Sequence, residues 1–466
     1  MHRRQFLAVA SVAGSSLSLA AAPPSKFEPT WESLKTHAVP DWYEDAKLGI
    51  FVHWGLYSVP AWAPPSGELG KVDFNTWFYK NPYAEWYLNS IRLKESETYK
   101  HHAAAFGENF DYYTFADTFN KESAKWDPNK WADVAKNTGA RYMVLTTKHH
   151  DGFTLWPSRV KNPKRQGSLG TRRDIVGELT KAVRARGMRM GLYYSGGLDW
   201  TFEEKPVAKM ADLMATAPKT QEYADYADAH WRELIERYEP SVLWNDITYP
   251  KLGRLADIFA DYYNKYPDGL VNNRFTAPHA DFTTPEYSVR DRVKGKKWEV
   301  CRGLGFSFGY NQVEDQRHVI VPDKLIELVV GVVSEGGNIL LNIGPRPDGS
   351  IPDIQMDRLT KLGAWMKVNG EGIFGTRPWT TAASKTETGE DVRFTRKGDN
   401  TVYAFVYKRP ESGVVTIPEL KSARKVELLG FAGQPLQTEM KNAGLAVTLP
   451  PAFGSAPSAF GLKVAV

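Results

Sequence analysis

The chain has 466 residues, with 42% hydrophobic and 24% charged side chains, which is typical of a globular protein of two or three domains. Its formal net charge of +5 is small for this length and no lysine- or arginine-rich block occurs, which argues against nucleic acid as a partner. Cys301 is the single cysteine, so an internal disulfide and a cysteine-based metal site are excluded.

The amino terminus has the pattern of an export signal. Arg3 and Arg4 form a basic start, residues 8–19 are modestly apolar, and residues 20–22 are three alanines. This order predicts a signal peptide over residues 1–22. The arginine pair followed by Gln-Phe-Leu resembles a twin-arginine signal. We therefore expect an exported protein, periplasmic or secreted, that has no membrane association after export.

From residue 23 to 377, short apolar strands alternate with amphipathic helices. The predicted strands cover 48–55, 142–148, 188–195, 241–246 and 338–344, and the predicted helices cover 130–139, 175–186, 220–238 and 326–334. Strands this apolar, separated by helices, are typical of a parallel sheet. They predict a (β/α)8-like, TIM-type barrel of the α/β class. A doubly wound open sheet is the alternative, although no Gly-x-Gly-x-x-Gly motif joins a strand to a helix.

The pattern changes to short strands separated by turn residues in the last segment, residues 378–466. The predicted strands cover 392–395, 401–407, 413–417, 425–429 and 445–449. This spacing predicts a C-terminal β-sandwich domain. Within the barrel region, residues 63–67 and 202–218 are predicted to be insertions at the rim of a site.

Polar and aromatic side chains gather where five predicted barrel strands end. These are His53 and Trp54; His149, His150 and Asp151; Tyr193 and Tyr194; Trp244, Asn245 and Asp246; and Asn272, Asn273 and Arg274. In a parallel barrel the active site lies at the carboxyl ends of the strands. Five such endings would be rare in a scaffold used only for stability, so we expect one shared pocket.

The histidines of this group have two interpretations. Clustered imidazoles are common metal ligands, and His149 and His150 lie near Asp151. However, adjacent residues on an extended strand point to opposite sides, so we do not expect them to bind one ion. The other interpretation is that neutral imidazoles bind sugar hydroxyls. The 15 Trp and 22 Tyr residues also offer flat faces for sugar rings.

Glycoside cleavage needs two carboxyl groups. The candidates near strand ends are Asp246, Glu85, Glu286, Glu299, Asp151 and Asp199. Asp246 follows an apolar strand, which would hold it rigidly as a nucleophile; the alternative is that it caps a turn. An acid/base should be partly desolvated yet within reach of the leaving group. Glu286 on a loop and Glu299 on a strand are nearly even candidates on this local evidence.

Eight motifs follow one another along the chain in the order found in a known family. They are His53-Trp54-Gly55, Tyr83 to Tyr87, Thr147 to Phe153, Gly191 to Ser195, Leu243 to Asp246, Trp298-Glu299, Ser307 to Asn311 and Gly336 to Pro345. From about residue 30 to its end, the chain resembles the α-L-fucosidases of glycoside hydrolase family 29. One departure is that Asn273 and Phe275 replace the Asp and Trp that usually flank the arginine at Arg274.

The resemblance implies a retaining exo-glycosidase that hydrolyses terminal α-L-fucose by double displacement, without a cofactor or a metal. It implies Asp246 as the nucleophile, Glu286 as the acid/base, and Glu299 as a supporting carboxylate or lesser candidate. The implied substrate-binding residues are Phe51, for the fucose methyl group, with His53, Glu85, Trp86, His149, His150, Tyr193, Trp244, Arg274 and Phe308.

The implied substrate is a fucosylated oligosaccharide or glycoconjugate. The sequence leaves open whether the chain forms a homo-oligomer. Two alternatives are a glycosidase for a related sugar such as α-L-galactose and a catalytically weak fucose-binding protein. The apolar side chains of Phe51 and Phe308 favour a methyl group over the hydroxymethyl group of galactose. A retaining mechanism predicts a separation of roughly 5–5.5 Å between the two carboxyl groups.

Overall fold

The computed structural model describes residues 27–167, 169–289, 293, 295–431, 435–453 and 459–466. The predicted signal peptide at residues 1–22 lies outside the described residues. Among the helices of these segments, none has the length and apolar character needed to cross a bilayer.

The barrel region is built from eight strands among the described residues: β1 Leu48–Val52, β2 Tyr142–Lys148, β3 Arg189–Ser195, β4 Val242–Asp246, β5 Leu270–Val271, β6 Phe282–Thr283, β7 Lys297–Gly303 and β8 Asn338–Ile343. They pair in parallel in the order β5-β4-β3-β2-β1-β8-β7-β6. A parallel bridge between Asn272 and Phe282 links the two edges. The sheet is therefore a nearly closed barrel, as predicted, and the open-sheet alternative is wrong.

Helices surround the barrel and lie in its connections. They are α1 Trp31–Leu34, α2 Asp41–Ala46, α3 Phe74–Tyr79, α4 Tyr87–Ile91, α5 Glu97–Phe106, α6 Phe115–Ser123, α7 Pro128–Thr138, α8 Ile175–Arg184, α9 Met210–Ala215, α10 Gln221–Tyr238, α11 Leu255–Lys265, α12 Pro322–Ser334 and α13 Asp353–Asn369. Two of them, α3 and α9, are short helices near the barrel mouth, and α9 lies inside the predicted insertion 202–218.

Local sequence explains the bounds of the well-predicted elements. The helix α7 begins after Asp127, whose side chain accepts a hydrogen bond from the backbone N–H of Asn129. It ends at Gly139, whose φ of 97° is in the left-handed region that favours glycine. All seven residues of β2 are buried, because the barrel interior covers one face and the helices cover the other.

The C-terminal region is an antiparallel β-sandwich, as predicted. Its strands are β9 Arg377–Lys385, β10 Asp391–Lys397, β11 Thr401–Val406, β12 Val414–Ile417, β13 Lys425–Leu428, β14 Gln437–Lys441, β15 Gly444–Thr448 and β16 Phe460–Ala465. Within the described segments they form one sheet in the order β13-β16-β11-β10-β9 and another in the order β12-β15-β14. The two sheets share a core that includes Phe394 and Val447. The division of domains at residues 377 and 378 stays a prediction.

Candidate active site

A cavity of about 230 Å³ opens at the carboxyl ends of the barrel strands. All the catalytic and substrate-binding residues implied by the resemblance lie on its wall, except Glu299. The other two carboxyl candidates, Asp151 and Asp199, do not lie on it. The wall consists of Phe51, His53, Leu69, Phe74, Trp77, Phe78, Tyr83, Glu85, Trp86, His149, His150, Tyr193, Met210, Leu213, Trp244, Asp246, Ile247, Arg274, Glu286, Cys301 and Phe308. Each of the five predicted strand ends therefore contributes at least one side chain to the pocket. The strand-end residues that do not line it are Trp54, Asp151, Tyr194, Asn245, Asn272 and Asn273.

Asp246 ends β4, and hydrogen bonds fix its carboxylate in one orientation. Its Oδ1 accepts hydrogen bonds from Nη1 of Arg274 at 2.8 Å and from the backbone N–H of Ile247 at 2.9 Å. Its Oδ2 accepts from the hydroxyl of Tyr193, on the neighbouring strand, at 2.8 Å. The bond to Ile247 is a turn contact of the kind considered from sequence. The contacts with Arg274 and Tyr193 are made by residues that line the pocket, so the turn contact accounts for only one of these three hydrogen bonds.

Arg274 connects Asp246 to Glu286. Its Nη1 donates to Asp246 and its Nη2 donates to Oε2 of Glu286, both at 2.8 Å. The guanidinium also lies over the ring of Trp244, 4.7 Å from its centroid. Because the guanidinium is planar and rigid, one cation sets the relative position of the two carboxylates.

Asn273, one of the departures from the family pattern, supports this arginine indirectly. Its Oδ1 accepts hydrogen bonds from the backbone N–H and the hydroxyl of Thr284, both at 2.9 Å. The hydroxyl oxygen of Thr284 in turn accepts from Nε of Arg274 at 3.0 Å. The side-chain oxygen of Asn273 is thus the acceptor that positions Thr284 beside Arg274. Phe275, the other departure, is buried against Trp231.

Glu286 lies on the loop that follows β6 and is open to the cavity. Its Oε1 accepts a hydrogen bond from the hydroxyl of Tyr83 at 2.7 Å, and its side chain is 19% exposed. A partly exposed carboxyl group on the pocket wall can exchange a proton with both a bound sugar and solvent.

Glu299 lies on β7 but deeper in the barrel, below Trp244. Its Oε1 accepts from the indole N–H of Trp244 at 3.1 Å, and its Oε2 accepts from the hydroxyls of Tyr43 and Tyr142. The side chain is fully buried and absent from the cavity wall. Burial raises the pKa of this carboxyl group. Its position fits a residue that supports Trp244 and is out of reach of a bound leaving group.

The three histidines His53, His149 and His150 all line the cavity. The expectation that His149 and His150 point to opposite sides was wrong, because both follow the end of β2 and their ring centroids lie only 4.0 Å apart. Burial lowers the pKa of His53 to about 4 and lowers the pKa values of the other two well below the ordinary value. The rings are therefore neutral near pH 7.

Hydrogen bonds also indicate which ring nitrogens carry the proton. Ser195 donates to the carbonyl of Leu198 at 2.6 Å, so its oxygen accepts from Nδ1–H of His150 at 2.6 Å. The Oδ1 of Asn342 similarly accepts from Nδ1–H of His53 at 2.7 Å. This arrangement leaves Nε2 of both rings as an acceptor for a ligand hydroxyl.

A buried carboxyl group and two phenylalanines complete the predicted sugar-binding set. The Oε2 of Glu85 accepts from the backbone N–H of Gly309 at 2.7 Å and from the hydroxyl of Ser307 at 3.1 Å. Burial raises the pKa of Glu85 to about 7. The rings of Phe51 and Phe308 lie 6.3 Å apart on the same wall and give it an apolar part.

In the described part of the chain, one group of side chains has the spacing of metal ligands, and it lies away from the cavity. His37, His279 and Asp281 place their ligand atoms within 4.8 Å of one another. They are already hydrogen bonded: Nδ1 of His37 is 2.7 Å from Asp281, its Nε2 is 3.0 Å from the carbonyl of Pro267, and Nε2 of His279 is 2.9 Å from the hydroxyl of Tyr263. The cluster is thus a structural hydrogen-bond network at the amino end of β6.

Sequence reasoning missed several residues of the wall. They are Leu69, Phe74, Trp77, Phe78, Tyr83, Met210, Leu213, Ile247 and Cys301. Met210 and Leu213 were not named, but they lie in the insertion 202–218 that was predicted at the rim. Most of the others lie on α3 or in loops, which a search for polar residues at strand ends does not reach. Cys301 could have been found, because it is two residues from Glu299 on β7 and must face the same side of the strand.

Comparisons with known proteins agree with this architecture and site. A family model described as "Alpha-L-fucosidase" matches residues 16–371, and one described as "Alpha-L-fucosidase C-terminal domain" matches residues 385–465. The chain belongs to the α-L-fucosidase family. A tissue alpha-L-fucosidase of Rattus norvegicus is 33% identical over 95% of this chain and 93% of that protein.

Solved structures of the family extend the likeness to three dimensions. The Thermotoga maritima alpha-L-fucosynthase, in complex with alpha-L-Fuc-(1-2)-beta-L-Fuc-N3, has a TM-score of 0.88 and 45% identity, covering 96% of this chain and all of that chain. The Thermotoga maritima alpha-fucosidase in complex with a mechanism-based inhibitor has a TM-score of 0.86 and 45% identity, covering 95% and 100%. The protein is therefore a fucose-releasing glycosidase, built from a parallel β/α barrel and a C-terminal β-sandwich.

Proposed function

We propose that this fucosidase releases terminal α-L-fucose with retention, through a covalent fucosyl-enzyme formed on Asp246. The observation that carries the proposal is that Asp246 and Glu286 line one cavity and share the guanidinium of Arg274. A retaining glycosidase needs one carboxylate as nucleophile and a second carboxyl group that acts first as an acid and then as a base.

In the first step, Oδ of Asp246 attacks C1 of fucose while Glu286 gives its proton to the departing oxygen. The bond from C1 to that oxygen breaks as the ester bond to Asp246 forms. In the second step, Glu286 removes a proton from water, whose oxygen attacks C1 and releases Asp246. The substrate is a fucosylated oligosaccharide or glycoconjugate, whose fucose hydroxyls would be bound by the neutral rings of His53 and His150.

Arg274 suits both steps for an electrostatic reason. Before attack, Asp246 is the anion of the pair and Glu286 carries the proton. In the fucosyl-enzyme, Asp246 is a neutral ester and Glu286 is the anion that activates water. One carboxylate charge is therefore present at each stage, and a single guanidinium within 2.8 Å of both groups stabilises it in either position.

The test is the anomer that azide forms with two matched variants. Asp246→Ala with azide should convert an aryl α-L-fucoside to β-L-fucosyl azide, because azide takes the place of the nucleophile and inverts C1 once. Glu286→Ala with azide should give α-L-fucosyl azide, because azide attacks the covalent intermediate and inverts C1 again. Proton NMR of the products distinguishes the two. The same anomer from both variants, or full activity of Asp246→Ala without azide, would contradict the mechanism.

A further inference from the structure

The mouth of the cavity has an apolar rim, which we define as Phe74 on α3 together with Met210 and Leu213 on α9. Phe74 is 45% exposed and Met210 is 43% exposed, although both line the same cavity as the two carboxylates. Large apolar side chains that are half exposed at a pocket mouth are typical of surfaces that a ligand covers.

The short helix α9 contributes to this rim without contributing to the core, since none of its residues is buried. Hydrogen bonds nevertheless connect its first residue, and the segment before it, to neighbouring helices. The side chain of Asn89 donates to the backbone carbonyl of Val207 at 3.0 Å and accepts from the backbone N–H of Val207 at 2.8 Å. The backbone N–H of Met210 donates to Oδ1 of Asn75, on α3, at 3.4 Å. The start of the helix is therefore anchored in a position where Met210 and Leu213 line the cavity.

Trp77 adds a polar group to this part of the wall. Its side chain is 3% exposed, and its indole N–H has no hydrogen-bond acceptor among the described residues. A buried N–H without an acceptor costs free energy, so such groups in native proteins usually have a partner that the protein alone does not supply. Because Trp77 lines the cavity, a hydroxyl oxygen of a ligand can serve as that acceptor.

These residues lie on the side of the cavity where the leaving group must be. The ring of Trp77 packs edge-on against that of Tyr83, with centroids 4.7 Å apart, and the hydroxyl of Tyr83 donates to Glu286. In the proposed function, Glu286 protonates the departing oxygen, so the rest of the leaving group extends past Glu286 toward the rim. In the proposed function, the polar wall around His53 and His150 binds the fucose itself.

We propose that the apolar rim and the indole N–H of Trp77 form a binding subsite for the leaving group, and that this subsite takes a sugar ring. The C–H face of a pyranose matches Phe74, Met210 and Leu213, while one of its hydroxyls accepts from Trp77. This inference rests on the proposed function, because it uses Glu286 as the acid. A second copy of this chain, docked on the same exposed side chains, is the competing occupant.

The test compares Met210→Ser with Met214→Ser as its matched control. Met214 is on the same helix and 52% exposed, but it does not line the cavity. Both variants are assayed for kcat/KM on α-L-fucosyl fluoride, phenyl α-L-fucoside and an α-L-fucosyl-(1→2)-galactoside. The fluoride leaving group is one atom and cannot reach the rim. In Met210→Ser, kcat/KM for the phenyl and galactosyl substrates should fall about 5- to 10-fold relative to the fluoride. Met214→Ser should keep the wild-type ratios.

Trp77→Phe separates the polar contact from the apolar one. It should lower kcat/KM for the galactoside about 10-fold relative to the phenyl fucoside, which has no hydroxyl to accept the N–H. Equal losses on all three substrates, or equal effects of Met210→Ser and Met214→Ser, would overturn the subsite. A fall in apparent mass of Met210→Ser by size-exclusion chromatography, together with unchanged substrate ratios, would assign the rim to the second copy. A wild-type enzyme inactive on the fluoride would instead refute the proposed function.

Discussion

Replacing Glu299 by Gln tests which carboxyl group is the acid/base. Glu299 accepts hydrogen bonds from Trp244 at one oxygen and from Tyr43 and Tyr142 at the other. A glutamine keeps one acceptor oxygen. An indole N–H can only donate, whereas a phenol oxygen can also accept. The amide oxygen should therefore stay with Trp244, and the NH2 group should face the two tyrosines.

The magnitude follows from the contacts that are lost. In this orientation both tyrosine hydroxyl protons lose Oε2 as their acceptor. Because one hydroxyl can donate to the other, one proton is left without an acceptor, which costs about 1–3 kcal/mol when the group is buried. Burial raises the pKa of Glu299, so removing its charge also removes a desolvation cost, which offsets part of this loss. We expect the free energy of unfolding to fall by about 1–3 kcal/mol and kcat/KM to fall less than about 10-fold, since Trp244 keeps its partner.

The assay pairs Glu299→Gln with Glu286→Gln. Urea denaturation followed by tryptophan fluorescence gives stability, and kcat/KM is measured on an aryl fucoside and on a fucosyl disaccharide. Glu286→Gln should lose about 10²- to 10⁴-fold on the disaccharide, whose poor leaving group depends on the acid, and less on the aryl fucoside. If Glu299→Gln shows this dependence on the leaving group and Glu286→Gln does not, our assignment is wrong.

Three further outcomes are expected. Tyr193→Phe removes a hydrogen bond of 2.8 Å to Asp246 and should lower kcat/KM about 10- to 150-fold, and an unchanged value would contradict that contact. Because burial lowers the pKa of His53 to about 4 from 6.5, the unfolded chain binds an extra proton between these pH values. The contribution of His53 to stability should thus fall by about 3 kcal/mol as pH drops through that window, so urea melts of His53→Gln should depend on pH less steeply than those of the wild type. Lys148→Met leaves the buried carboxylate of Asp199 without its cation and should cost about 3–5 kcal/mol in urea melts; a cost below 1 kcal/mol would refute this.

The regular elements with strong local patterns could be predicted from the sequence. The strand β2 has the predicted bounds, because it is buried on both faces and begins with the apolar run Tyr142 to Leu145. The helix α7 was also predicted well, since Gly139 marks its end by a conformation that other residues rarely adopt. Such signals depend only on neighbouring residues in the chain.

Elements without such a pattern were largely missed. The strands β5 and β6 have two residues each, which is too short for any periodicity, yet they close the barrel. The strand β5 was expected only from the polar residues 272–274 that follow it, and β6 was missed. The strand β14 is exposed along its whole length, so it has no alternation between apolar and polar residues. These strands form by hydrogen bonding to neighbouring strands of the folded sheet. The short sequence of each strand carries no signal of which strand will be its neighbour.

The sequence by itself determined that Asp246 ends a buried strand among other polar strand ends, and family motifs gave it Glu286 as a partner. Only the tertiary structure separated Glu286 from Glu299, because one faces the cavity beside Arg274 and the other lies beneath Trp244. Depth within a barrel depends on the stagger of neighbouring strands and on how loops distant in sequence converge. For the apolar rim, the sequence predicted only that residues 202–218 lie at the rim; the approach of α9 to α3 was beyond it, because the hydrogen-bonded residues of the two helices are 135 positions apart and meet only after the barrel closes.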